Sequence, residues 1–144
     1  MKSLSIALLL WALSGPSLAT DIYEPPSGSI ERQLLLDAIR PHVEWNLGGP
    51  VEFKVIDLRV NGDLAFAQLY PWRPGGEAID LALSPMVARG VPLGMLDGVR
   101  LEALLIREGE TWVALLHEIG ATDVWFSSPE ICDAFRSVIP DYCP

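Results

Sequence analysis

The chain has 144 residues, half of them hydrophobic, and a formal net charge of −9 at pH 7. Its length is typical of one domain with one core, and its hydrophobic content excludes a disordered chain. The negative charge disfavours nucleic acid and membrane-surface partners, because phosphate groups are repelled, whereas it permits a basic partner.

The segment from Met1 to Ala19 has the three parts of a secretory signal peptide in order. Lys2 supplies a positive start, Leu4–Leu13 is a nearly unbroken apolar run, and small residues stand at the cleavage site. The run is shorter than the roughly 20 residues that a membrane span needs, so we expect cleavage after Ala19 and no membrane insertion afterwards. The mature chain, residues 20–144, is then a single exported domain, either periplasmic or secreted.

An amphipathic helix is predicted from Ile30 to about Arg40. Apolar residues recur there at helical spacing, and Ser29 is placed as the N-cap. Pro41 ends or kinks this helix, although a proline can also begin a further turn, here through Val43 and Trp45.

Four strands in two hairpins follow the helix. The predicted strands are Val51–Val60, Leu64–Trp72, Val99–Arg107 and Thr111–Ile119. In the first strand the apolar positions change parity, which predicts a bulge near Val55-Ile56.

Between the hairpins, Glu77–Gly98 is rich in Gly and Pro yet also apolar. We expect a packed connection with a short strand or a helical turn, which covers an end of the core or forms a lid.

A short C-terminal helix is predicted from Ile131 to Val138, with Ser128 as its cap. Cys132 and Cys143 are the two cysteines of the chain, and we expect them to form a structural disulfide in an oxidising compartment. Two thiols are too few for a zinc site. The fold class is therefore α+β: an amphipathic helix on an antiparallel sheet of about four strands, followed by a short helix.

This order of elements resembles the cystatin-like or NTF2-like α+β roll. Leu36–Pro41, Ala65-Phe66-Ala67, Leu96-Asp97-Gly98 and Ile119–Trp125 are also similar to segments of small exported bacterial proteins of uncharacterised function. The resemblance covers Ile30 to about Phe126. It implies a scaffold that hosts enzymes, ligand binders and interaction domains, and it brings no catalytic residues with it.

Two residues are candidates for acid–base chemistry. Strict alternation places His117 on an apolar face with Val113, Leu115 and Ile119. There it is either a general base in a pocket or a half-buried histidine without a catalytic role. Asp57 lies two residues before Arg59, so the pair is either an acid and an electrophile or an exposed charge ladder.

Aromatic and charged residues suggest a binding patch. Tyr70, Trp72 and Arg73 end a predicted strand, and residues of these types often anchor protein interfaces. Asp123 and Trp125 are further candidates. The alternatives are that Trp72 caps the core and that Asp123 caps a turn.

These observations lead to two expectations for function. The first is an exported, non-enzymatic binding or accessory domain for a protein or cell-envelope partner, without cofactor or metal. The second is a small-molecule-binding or hydrolase-like roll whose cavity contains His117.

Overall fold

The computed structural model describes residues 21–144, so the predicted signal peptide lies outside the described residues. The α+β class is confirmed. The main elements are α1 (Ile30–Leu47), β1 (Glu52–Asn61), β2 (Leu64–Trp72), α2 (Pro85–Ala88), β3 (Leu101–Glu108), β4 (Thr111–Ile119) and α3 (Pro129–Phe135). No helix within residues 21–144 has both the length and the apolar character that crossing a bilayer requires.

Helix α1 begins as predicted but continues through Pro41. The Ser29 hydroxyl accepts the backbone N–H of Arg32 at 3.2 Å and caps the helix. The apolar face of the first turns extends beyond the proline at a spacing of four residues, and this packing offsets the hydrogen bond that Pro41 removes. The fully buried residues of that face are Leu35, Ile39, Val43 and Leu47.

The four strands form one antiparallel sheet in the order β1-β2-β3-β4. The predicted bulge in β1 is confirmed, since the register with β2 shifts between Val55 and Asp57 and leaves Ile56 as the extra residue. A second bulge lies in β4. Leu104 and Leu105 are consecutive in β3, but their partners in β4 skip Leu115. Each bulge reverses which side chains face α1.

Both faces of the sheet are covered, whereas only the α1 face was predicted to be. The larger core lies between the sheet and α1. A second core lies on the opposite face, where the segment after β4 packs against the sheet, and its buried members are Phe66, Leu104, Phe126, Phe135, Val138 and Ile139. All five residues of Leu101–Leu105 in β3 are buried, as expected for a strand that is covered on both sides.

The disulfide between Cys132 and Cys143 is confirmed, with an S–S distance of 2.04 Å. It joins α3 to the end of the chain. Beside it, the Tyr142 ring lies 4.9 Å from the Phe126 ring and 6.0 Å from the Phe66 ring. The bond therefore holds the C-terminal segment on the second face of the sheet.

The connection between the hairpins is packed, as predicted, and it contains helical turns. Ser84 caps α2, and both Ile79 and Met86 are buried in the larger core. This connection covers the end of the core near the C-terminus of α1. By contrast, Leu83 is 83% exposed.

Candidate binding surface

His117 faces α1, where its ring lies 4.6 Å from the ring of His42. The bulge at Leu115 changes the alternation in β4, so His117 pairs with Ala103 on the α1 side of the sheet while Val113 pairs with Ile106. The expectation that His117 shares a face with Val113 is therefore wrong, whereas Ile119, which pairs with Leu101, does lie on the same face as His117. Burial, and next the nearby His42, lower the pKa of His117.

This shift predicts a pH dependence of stability. Near the ordinary histidine pKa of about 6.5, the unfolded chain binds more protons than the folded protein. The free energy of unfolding is therefore expected to hold its full value above that pH and to fall as the pH decreases through it. Urea unfolding at about pH 7.5 and about pH 5.5 measures the difference, which His117→Gln should reduce. An equal loss in parent and variant would contradict this assignment.

Asp57 does not meet His117. It forms a salt bridge with Arg59 at 2.7 Å, and Arg59 also binds Asp141 in the C-terminal segment. Asp57 lies in β1 and His117 in β4, which are the two outer strands, about 14 Å apart at the usual strand spacing. The two residues also lie on opposite faces of the sheet, so they cannot act as one acid–base pair.

Three clefts in the described region are not lined by His117. Between the start of α1 and β1, one cleft of about 370 Å³ is lined by Arg32, Arg40 and Phe53 among others. Its arginines already bind Glu24 at 2.8 Å and Asp37 at 3.2 Å. Two further clefts also lack His117. The geometry therefore gives no support to a roll whose cavity contains this histidine.

Arg73 has a role inside the domain. Its guanidinium donates to the carbonyl oxygens of Leu47 at 2.8 Å and Pro50 at 3.3 Å, and also to that of Gly48. These groups lie at the last residue of α1 and just after it, where backbone carbonyls lack helical partners. Trp72, beside it in the chain, is half-buried. Arg73 therefore stabilises the end of α1, and both of its terminal guanidinium nitrogens are engaged within the domain.

The other predicted binding residues are either exposed or packed inside the domain. Tyr70 and Asp123 are exposed. Trp125 packs edge-on against Phe126 at 5.6 Å and joins the second core, and its indole N–H is buried without a hydrogen-bond partner. Of the five predicted residues, Arg73 and Trp125 thus make contacts within the domain and Trp72 is half-buried, which leaves Tyr70 and Asp123 as the exposed members.

A different surface lies at the outer edge of β4. Within residues 21–144, no other strand or bridge pairs with that edge. Val113 and Leu116 are exposed there on the face of the sheet opposite to α1, where they pair with Ile106 and Leu104, and the bulge residue Leu115 is exposed between them. β4 carries no charged side chain from Thr111 to Leu116. Unpaired backbone N–H and C=O groups beside apolar side chains form a template for another strand.

The opposite edge, β1, has the features that usually prevent such pairing. Lys54, Asp57 and Arg59 place charges along it. The backbone of Tyr23 also pairs with Val60 through hydrogen bonds of 2.8 and 3.0 Å, which covers part of the edge. The two edges are therefore not equivalent, and β4 is the open one.

Helix α1 adds an exposed apolar stripe beside β4. Ile30 is 77% exposed and Trp45 is 69% exposed, with Leu34 between them on the same side of the helix. Ile30 and Leu34 share a cleft with Trp112 of β4, and farther along, the His42 ring contacts the His117 ring in a tilted arrangement. The helix thus runs along β4. We call the outer edge of β4 together with this stripe the β4–α1 surface.

Sequence reasoning missed the β4–α1 surface because an edge strand is defined by the order of strands in the sheet. The available signal was the uncharged run from Thr111 to Leu116, together with apolar residues at two sides of α1.

Comparison with protein-family models, with curated proteins and with solved structures finds no match for this chain. The resemblance to cystatin-like or NTF2-like rolls therefore stays a prediction. In the part of the chain that the structure describes, no three metal-ligating side chains come together.

Proposed function

We propose that this protein is an exported, non-enzymatic binding domain that takes up an extended segment of a partner protein as an additional strand along β4. One observation carries the proposal: the edge of β4 is open and apolar, and the apolar stripe of α1 lies beside it. Addition of a strand to a sheet edge gives affinity through backbone hydrogen bonds and specificity through alternate side chains.

The charge of the chain favours a foreign partner over a second copy. The full chain has a formal net charge of −9, and loss of Lys2 with the signal peptide makes each exported copy more negative. Two copies therefore repel each other, whereas a basic segment is attracted. Apolar residues on the incoming segment would cover Leu115 on β4 and Leu34 on α1, which are exposed in the free domain. Occupation of the edge would also remove a site of aggregation.

Export is part of the same proposal. The segment Met1–Ala19 has the signal-peptide pattern, and the bond between Cys132 and Cys143 is of the kind that persists in oxidising compartments. The partner is then a protein of the cell envelope or of the extracellular medium, and the proposal requires no cofactor.

Two bulge residues provide a matched test of the binding edge. Leu115 in β4 is 51% exposed, and Ile56 in β1 is 50% exposed. Peptides selected from a random decapeptide display library against the exported protein are expected to bind the parent and the Ile56→Lys variant equally. Leu115→Lys should weaken binding about tenfold or more, because it removes apolar burial and places a charge on the open edge.

Titration calorimetry gives the dissociation constants, and amide chemical shifts locate the peptide. Shifts confined to β4 and the exposed side of α1 are expected. A library that yields no binder would contradict the proposal, and so would shifts centred on Tyr70 and Trp72. Equal loss of binding in the two lysine variants would show that charge alone, and not the β4 edge, controls binding.

A further inference from the structure

We propose that the cleft at the start of β4 binds a lysine or arginine side chain of the added strand, an inference that rests on the proposed function. The cleft has a volume of about 480 Å³ and lies between the first turns of α1 and the β3–β4 turn. We call it the Trp112 cleft. Its principal side chains are Ile30, Glu31, Leu34, Arg107, Glu110 and Trp112.

The walls of the Trp112 cleft suit the aliphatic part of a long basic side chain. Ile30 and Leu34 are exposed on α1, whereas Trp112 is buried at its base. Lysine and arginine place their methylene groups on apolar surface while the charged group stays near water. A short or acidic side chain would leave this apolar wall exposed.

The charges of the cleft favour a cation. Glu31 and Glu110 supply carboxylates at its rim. Arg107 also lines the cleft, but its guanidinium already binds Asp63 at 2.8 Å and lies 5.4 Å from the centre of the Trp112 ring. The positive charge of Arg107 is therefore matched by Asp63, and the two glutamates remain to attract an incoming cation.

The contact between Tyr23 and Glu31 preserves this charge. The Tyr23 hydroxyl donates to the Glu31 carboxylate at 2.9 and 3.0 Å. Burial, and next this hydrogen bond, raise the pKa of Tyr23, so the phenol stays neutral at physiological pH. A neutral donor orients the Glu31 carboxylate without cancelling its negative charge. The carboxylate can therefore also bind an incoming ammonium or guanidinium group.

The position of the cleft fixes where the basic residue belongs. Trp112 follows the first residue of β4, so the basic side chain should stand at the end of the added strand that pairs with Thr111 and Trp112. An apolar residue should follow at the positions that meet Leu115 and Leu116. The partner segment is therefore an extended run of apolar residues with lysine or arginine at this one end.

The test uses the peptides selected against the exported protein. Those that shift the β4 amides are expected to carry lysine or arginine at one fixed position, and its replacement by norleucine should weaken binding. Glu31→Gln and Glu110→Gln should each weaken binding of the basic peptide about two- to fivefold, as for exposed ion pairs. The double variant Glu31→Lys/Glu110→Lys should prefer peptides with glutamate at that position.

Glu77→Lys/Asp133→Lys is the matched control, because it changes the same charge at exposed positions outside the cleft. It should retain the preference for the basic peptide. If peptides bind β4 without such a preference, or if the control reverses it equally, the inference is overturned while strand addition stands. If no peptide binds β4, the proposed function itself fails.

Discussion

Replacement of Phe66 by alanine is expected to lower the free energy of unfolding by about 3–5 kcal/mol. Phe66 is fully buried in β2 and, with Leu104 of β3, is one of the two sheet residues buried in the second core. Its ring lies 5.0 Å from the Phe126 ring, and the Arg59 guanidinium lies 5.8 Å from its centre. The truncation removes apolar burial and leaves a cavity that neighbours on two segments cannot readily fill.

Urea unfolding followed by tryptophan fluorescence measures this loss. Leu83→Ala is the control, because Leu83 is 83% exposed and an exposed substitution changes stability by about 0.5 kcal/mol or less. A change below about 1 kcal/mol for Phe66→Ala would mean that the C-terminal segment does not pack on the sheet. Peptide binding at β4 should persist in Phe66→Ala under conditions where the variant is folded, because Phe66 lies in β2, which β3 separates from the β4 edge.

Loss of the disulfide is the second large effect. The double variant Cys132→Ala/Cys143→Ala is expected to lower the free energy of unfolding by about 3 kcal/mol, since the bond closes a loop with a sequence separation of 11. The bond restricts the unfolded chain, and in the folded domain it holds Tyr142 against Phe66 and Phe126. Reduction of the parent protein should give the same loss of stability.

Hydrogen exchange should locate the effect. Faster exchange is expected in α3 and the residues after it, while β1 to β4 keep the protection of the parent. The Phe66 and disulfide substitutions affect one cluster, so their effects should deviate from additivity by about 0.5–3 kcal/mol. Strict additivity, or unchanged exchange in α3, would contradict the view that the bond and the second core act together.

Several features were predictable because their signals are local. Ser29 caps α1 through its own side chain, and the parity change around Ile56 identified the bulge in β1. The strand limits of β2 and β4 match the predicted ones. The pairing of Cys132 with Cys143 followed from the cysteine count. The cap, the bulge and the strand limits each depend on residues close together in the chain. The disulfide was predictable because two cysteines allow only one pairing.

Other features depended on contacts between distant segments. Helix α1 passes through Pro41 because Val43 and Leu47 bury themselves against the sheet. Arg73 was predicted to bind a partner, but folding brings it to the carbonyls at the end of α1. The bulge at Leu115 turned His117 towards His42, a change that alternation within one strand cannot reveal.

The α+β class, the two hairpins, the disulfide and the excess of negative charge follow from the amino-acid sequence alone, because periodicity, turns and composition are properties of short stretches of chain. Three other features come from the tertiary structure: which strand is an open edge, which face the C-terminal segment covers, and which exposed residues of α1 lie beside β4. These depend on the order of strands and on packing between segments far apart in sequence, where burial outweighs local preference. The β4–α1 surface follows from that arrangement.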